Sequence, residues 1–130
     1  MSIVDNLFRN QKYLNLETFR KTGVGVKTPV WFVQDGDILF VRTVADSGKV
    51  KRIRNNSQVK IAPCKMDGAL ISDWVRAVAR EVKDQEADRK IDKLLDKKYG
   101  LLKKMFFLRG GSNGRKYTIL EMKVSQQNEG

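Results

Sequence analysis

The residues whose types and spacing could do chemistry lie in one stretch, Thr43-Val44-Ala45-Asp46-Ser47-Gly48-Lys49-Val50-Lys51-Arg52-Ile53-Arg54. An apolar run at 38–41 leads through a small polar turn into a short basic helix. Ser47 stands where a helix N-cap belongs and can accept from backbone N–H groups of the first turn. Gly48 lets backbone approach a ligand closely. The helix start offers free N–H donors and a partial positive charge, and Lys49, Lys51 and Arg52 add full charges around it. Two readings fit these residues: a phosphate site, or a basic surface helix with an ordinary cap.

Composition narrows the chemistry. The chain has 130 residues, the size of one ordinary domain, and a formal net charge of +11. Such a charge implies an anionic partner: a phosphorylated or carboxylated cofactor, nucleic acid or an acidic membrane surface. There is no histidine, which removes histidine acid–base chemistry, serine–histidine triads and histidine metal sites. The lone Cys64 cannot form an internal disulfide or a cysteine zinc site, so no metal is expected. It sits in an apolar strand run and reads as a buried structural thiol. No apolar run reaches transmembrane length, and residues 1–10 lack the apolar core of a signal peptide. A cytoplasmic protein with no membrane partner is expected.

The elements that must position the candidate site follow from periodicity. Residues 3–13 predict a short helix with Ile3, Leu7 and Phe8 on one face. Residues 14–21 and 24–33 predict strands. In the second, Val24, Val26, Thr28, Val30 and Phe32 alternate with Gly25, Lys27, Pro29, Trp31 and Val33, and Pro29 argues for an edge or a bulge. Asp35-Gly36-Asp37 predicts a hairpin turn. Further strands are predicted over 38–43 and 58–64. Residues 70–82 fit either a strand, with Trp74, Arg76, Val78 and Arg80 on one face, or a helix. A helix is predicted over 84–104 from Ala87, Ile91, Leu94, Leu95, Tyr99 and Leu102, with acids early and lysines late. A flexible loop (110–114) and a last strand (116–124) follow, with Thr118, Leu120, Met122 and Val124 inward. The whole reads as a single domain over 1–124, mainly β, a small β-barrel with flanking helices, followed by a disordered tail at 125–130. The chain carries neither GxGxxG nor GxxxxGK[ST], so neither a dinucleotide-binding Rossmann unit nor a Walker site is supported.

The order of motifs is familiar. Tyr13-Leu14-x-Leu16-x-Thr18-x-Arg20-Lys21-x-Gly23 precedes Thr28-Pro29-Val30-Trp31-Phe32 and Asp35-Gly36-Asp37. Ser47-Gly48-Lys49-Val50-Lys51-Arg52-Ile53-Arg54-Asn55-Asn56 and Ala62-Pro63-Cys64 follow. This resembles the pyridoxamine-phosphate-oxidase-like split-barrel flavoproteins, and more closely their deazaflavin-dependent branch, which uses coenzyme F-420. The likeness covers about 13–80, with a weaker echo at Lys97-Lys98-Tyr99-Gly100; residues after Val82 and the loop 110–115 match little. It implies a six-stranded FMN-binding split barrel and a homodimer whose two sites are shared between subunits. It further implies that the phosphate is held at Thr43, Ser47, Gly48 and Lys49, and that the ring system lies against Thr28, Pro29, Val30 and Trp31. Members use FMN or the deazaflavin; others bind haem or only sequester a cofactor.

The residues agree with that implication in part. Val50, Lys51 and Arg52 extend the phosphate cradle. Gly25, Pro29 and Trp31 on one strand face would leave room and an aromatic wall for a flat ring, although Trp31 is equally suited to plain barrel packing. The charge suits a cofactor with a phosphate and a tail of glutamates, coenzyme F-420, more than FMN. The stripe Trp74, Arg76, Arg80 either reaches a partner subunit's site or pairs with acids on the neighbouring helix. Lys97-Lys98 and Lys103-Lys104 read as a solvated helix face with no chemistry. The expected function is an oxidoreductase moving a hydride between reduced coenzyme F-420 or FMN and a small organic substrate, with no catalytic side chain identified. The alternatives are a cofactor carrier or store without turnover, and a nucleic-acid-binding barrel. The last lacks the exposed aromatic run that single-strand binders use, so no nucleic-acid partner is expected.

Overall fold

A computed structural model of the chain describes residues 3–100 and 116–125. The described elements are α1 (Ile3–Phe8), β1 (Tyr13–Phe19), β2 (Gly25–Val30), β3 (Val33–Asp35), β4 (Ile38–Val44), α2 (Gly48–Asn55), β5 (Gln58–Cys64), β6 (Val75–Val82), α3 (Gln85–Tyr99) and β7 (Tyr117–Val124). The strands form one sheet in the order β2-β1-β5-β6-β7-β4-β3, and every ladder is antiparallel.

That order forces closure. β2 and β3 stand at opposite ends of the sheet, yet only Trp31 and Phe32 connect them. Three Cα steps reach at most about 11 Å. The sheet therefore rolls until its two edges meet, leaving a seam where β2 passes into β3: a split barrel with flanking helices, as expected. Among the described residues seven strands form rather than six, because the strand predicted over 24–33 breaks at the seam. Phe32 turns fully inward there, and its N–H goes to the Tyr99 hydroxyl at 3.0 Å instead of a ladder partner.

The barrel interior follows the period of two. Leu14, Leu16, Leu39, Val41, Val59, Ile61, Val75, Ala77, Ala79, Leu120 and Met122 fill it, with Val4 and Phe8 from α1 and Val50 and Ile53 from α2. α3 covers the outside of β3, β4 and β7 through Ile91, Leu95 and Tyr99, which meet Val33, Phe40 and Ile119. Arg42 anchors it with bonds of 2.8 Å to Asp92 and 2.7 Å to Asp88. β4 and β7 are thus apolar on both faces, whereas β6 alternates cleanly, with Arg76, Val78 and Arg80 exposed. The strand reading of 70–82 is the one realised, because β5 and β7 bond it from both sides.

The predicted helix at 3–13 stops at Phe8; Asn10 takes a left-handed φ of 65°, which asparagine tolerates better than most residues. The hairpin at Asp35-Gly36-Asp37 forms, with Asp35 opposite Ile38 and Gly36 at φ 61°. In α3, Asp84 caps the Glu86 N–H at 3.2 Å, and Gly100 ends the helix at φ 49°, short of the predicted residue 104. The expectations for Leu102, Lys103-Lys104, the loop 110–115 and the tail beyond 125 lie outside the described residues.

Tyr99 holds the seam. Its hydroxyl lies 2.7 Å from the Lys12 carbonyl and 2.9 Å from the Phe32 carbonyl, and it accepts the Phe32 N–H. Tyr99→Phe keeps the ring and removes these bonds, leaving a buried N–H unpaired. Chemical denaturation should show a loss of about 1–3 kcal/mol, the cost of an orphaned buried group. An unchanged midpoint would show that the seam does not depend on the hydroxyl.

Candidate functional site

α2 begins where the sequence places it. Ser47 sits at the N-cap position with an extended backbone, φ −70° and ψ 158°. Its side chain, however, makes no cap hydrogen bond, a correction to the simple capping role. The hydroxyl is buried without a partner, and it does not occupy the first-turn N–H groups, which have no intrahelical acceptor. A buried orphan hydroxyl is costly unless something else is meant to meet it.

The cations beside it are also unbalanced. Lys49 is half-buried, and burial, followed by the positive charge of Arg52, holds its pKa below the ordinary value. Arg52 is likewise lowered, by burial and then by Arg20. Among the described residues, no carboxylate pairs with Lys49, Arg52 or Arg20. Arg52 is aimed rather than loose: its Nε donates to Thr18 Oγ1 at 2.6 Å, and a Cβ on Gly48 would lie 2.8 Å from its terminal nitrogen. Gly48 therefore leaves the space that lets the guanidinium lie over the helix start. An orphan hydroxyl, unsatisfied amides and mutually repelling cations fit a phosphate or another compact anion.

The fold gathers Ser47, Gly48, Lys49 and Arg52, and it adds Thr18 and Arg20 from the end of β1. Both belong to the motif that carries the family resemblance but are not among the expected cradle residues; the signal is there, since Thr18 is the polar end of the inward series Leu14, Leu16, Thr18. Thr43 is buried on β4 opposite Thr118. Val50 is fully buried in the barrel core, so its side chain cannot belong to the cradle and only its backbone N–H remains available. Lys51 is exposed, and Arg54 is held bidentately by Glu81 at 3.0 Å for each bond. Cys64 is buried with its pKa raised by that burial, as a structural thiol should be.

The expected ring wall is arranged differently. Thr28 and Val30 pair with the inward residues Leu16 and Leu14, whereas Pro29 is exposed opposite Asn15. Gly25, Pro29 and Trp31 do not form one open face: the Glu17 carboxylate fills the space beside Gly25, and Trp31 has left the strand. Trp31 stacks on Tyr99 at 4.3 Å with planes 5° apart. Beside it, Lys98 Nζ donates to the Phe32 carbonyl at 2.9 Å and stands 3.4 Å from the Phe32 ring centroid. Lys98 is exposed, as a solvated helix face implies, but it also makes specific contacts with the seam. Its ammonium group lies against the Phe32 carbonyl and ring, where desolvation lowers its pKa to about 8. In an amphipathic helix, nothing local marks one lysine of a pair as different. The Trp74 stripe is divided too: Lys27 stands 5.6 Å from the Trp74 ring, and Arg80 pairs with Glu121 on β7 at 2.8 Å rather than with a helix acid.

No family model and no curated protein sequence matches the chain. Solved structures do, and they share the pyridoxamine-phosphate-oxidase-like split barrel. An F420 reductase matches with a TM-score of 0.66 and 17% identity, over 97% of this chain and 96% of that one. The haem storage protein HutZ of Vibrio cholerae matches with a TM-score of 0.70 and 18% identity, over 92% and 85%. A FAD-binding protein of Mesorhizobium loti matches with a TM-score of 0.65 and 11% identity, over 97% and 90%. At these identities the likeness is one of fold.

Lys49→Ala should weaken binding of a phosphorylated flavin or deazaflavin by about 1–3 kcal/mol, the scale of a lost charge-assisted hydrogen bond. Titration at low and at physiological salt measures this; equal affinities at both would remove Lys49 from the cradle.

Proposed function

We propose that this protein is a flavin-type oxidoreductase that moves a hydride between reduced coenzyme F-420, or FMN, and a small organic substrate. The observation that carries this reading is the uncompensated cluster of Arg20, Lys49 and Arg52 around the orphan Ser47 hydroxyl and the α2 start. It occurs in a fold shared with an F420 reductase and a FAD-binding protein. Ser47, Gly48, Lys49 and Arg52 would hold the phosphate, with Thr43 beside them. Thr28, Pro29, Val30 and Trp31 would border the ring. Val30 pairs with Leu14, four residues of β1 away from Thr18, about 14 Å at strand spacing, and Trp31 follows it. That span suits an extended flavin mononucleotide. The cofactor supplies the hydride chemistry; the chain orients it and keeps water away.

The site is proposed to form in a homodimer. The outer face of β2, β1, β5 and β6 is open at Lys27, Lys60, Arg76 and Val78. Met66, Leu70 and Ile71, in the connection after β5, are 71%, 43% and 49% exposed. Apolar side chains of that size grouped at one connection suit burial against a second copy. Light scattering at micromolar concentration should report a dimer, and Leu70→Asp with Ile71→Asp should shift it to monomer. A monomeric wild type would remove both the dimer and the shared site.

A store or carrier is the second reading, favoured by the likeness to a haem storage protein. Haem itself suits this chain poorly, because it has no histidine and its one cysteine is buried. Faster oxidation of bound reduced cofactor on adding an acceptor would support turnover; a rate indifferent to every acceptor tried would support storage.

Coenzyme F-420 should bind more tightly than FMN. Its glutamate tail would run past exposed Lys51 and neighbouring cations, where contacts are weak and screened beyond ~8 Å at physiological salt. The affinity gap should widen with tail length and narrow as salt rises. Tighter FMN binding at both salt concentrations would assign the protein to FMN.

A further inference from the structure

We propose that Lys98 and Tyr99 are positioning residues for the ring site, acting through Trp31 and the Phe32 peptide without touching the cofactor. This rests on the reading that Trp31 borders the ring. The geometry is that of a clamp with assigned roles. One tyrosine hydroxyl carries one proton, so it can serve one of the two carbonyls within its reach. The shorter contact is to Lys12, at 2.7 Å, while the oxygen also accepts the Phe32 N–H at 3.0 Å. The Phe32 carbonyl then depends on Lys98 Nζ at 2.9 Å for its donor. With both in place, the Phe32 N–H and the Phe32 carbonyl are each paired. The Tyr99 ring then lies flat against Trp31 and sets the height and plane of the indole.

The arrangement also makes the clamp sensitive to mild alkali. Lys98 is an ammonium at neutral pH, a strong donor to the carbonyl and a cation over the Phe32 ring. Burial holds its pKa at about 8, so the charge is lost on passing from pH 7 to 9. The groups that face it are the Phe32 carbonyl and ring from the seam and Tyr99 from its own helix, with Tyr13 of β1 acting on Tyr99. Tyr99 is pushed above its ordinary value by burial, so its hydroxyl keeps its proton throughout this range. The ring wall should therefore loosen near pH 8 through Lys98.

The test uses the full chain, with FMN and coenzyme F-420 as probes, in wild type, Lys98→Met, Lys98→Arg, Tyr99→Phe and Lys49→Ala, at pH 7 and 9. Trp74→Phe serves as background, leaving Trp31 as the one tryptophan. Lys98→Met should bind about tenfold more weakly at pH 7, with red-shifted Trp31 emission and no further loss at pH 9. Lys98→Arg should restore the neutral affinity and, staying charged, keep it at pH 9, whereas wild type weakens severalfold. Tyr99→Phe should weaken binding while its Trp31 stack persists. Wild-type affinity and emission in Lys98→Met, or a loss that Lys98→Arg does not repair, would overturn the positioning role while Lys49→Ala still confirmed the cofactor site. Binding indifferent to Lys49→Ala as well would overturn the site reading and this inference together.

Discussion

The two-residue link between β2 and β3 is the constraint on which the rest of the structure depends. It joins the ends of a sheet whose order would otherwise leave them far apart. Once Trp31 and Phe32 must bridge those edges, the sheet has to curl, an interior appears, and the apolar period of β1, β4, β5, β6 and β7 gains something to face. The link cannot satisfy its own backbone by strand pairing. It relies on α3, whose last turn supplies the Tyr99 hydroxyl and the Lys98 ammonium. The helix is held in turn by Arg42 against Asp88 and Asp92 and by its apolar face on β3, β4 and β7. Closure, helix docking and seam geometry are one coupled arrangement.

The candidate site shows the opposite economy. At the seam the Phe32 N–H and carbonyl are both paired; at the α2 start several groups are left without a partner. Burial and then a neighbouring cation lower the proton affinity of Lys49 and of Arg52, and the Ser47 hydroxyl is buried with nothing to bond. Among the described residues single orphan polar atoms occur elsewhere too, at Asn15, Arg42 and Thr118, but only at the α2 start does one coincide with cations that no carboxylate balances, an arrangement that suits an anion. The surplus charge of the chain fits that reading, but it is the local imbalance that makes the argument.

The residues of the candidate site divide according to what determines them. Ser47, Gly48 and Lys49 were legible because a strand end, a polar turn and a basic helix start are local features. The Val50 side chain faces the barrel core, which leaves its backbone N–H for the cradle; helix phase alone does not say which side meets the barrel. The roles of Thr18 and Lys98 are not local, because they depend on partners 34 and 66 residues away in the Arg52–Thr18 and Lys98–Phe32 bonds.

By itself the sequence determined the mainly β character, the hairpin at Gly36, the amphipathic α3, the buried thiol and the exclusion of histidine chemistry. Each of these follows from composition or from a period of two or 3.6 residues. The tertiary structure alone decided that residues 24–33 break into two strands, that 70–82 extends between β5 and β7, and that Trp31 gives a face to Tyr99. It also decided that one lysine of a helical pair is drawn in against a carbonyl. Those outcomes depend on which surfaces meet after the sheet closes, and closure is a property of strand order, which no local period encodes.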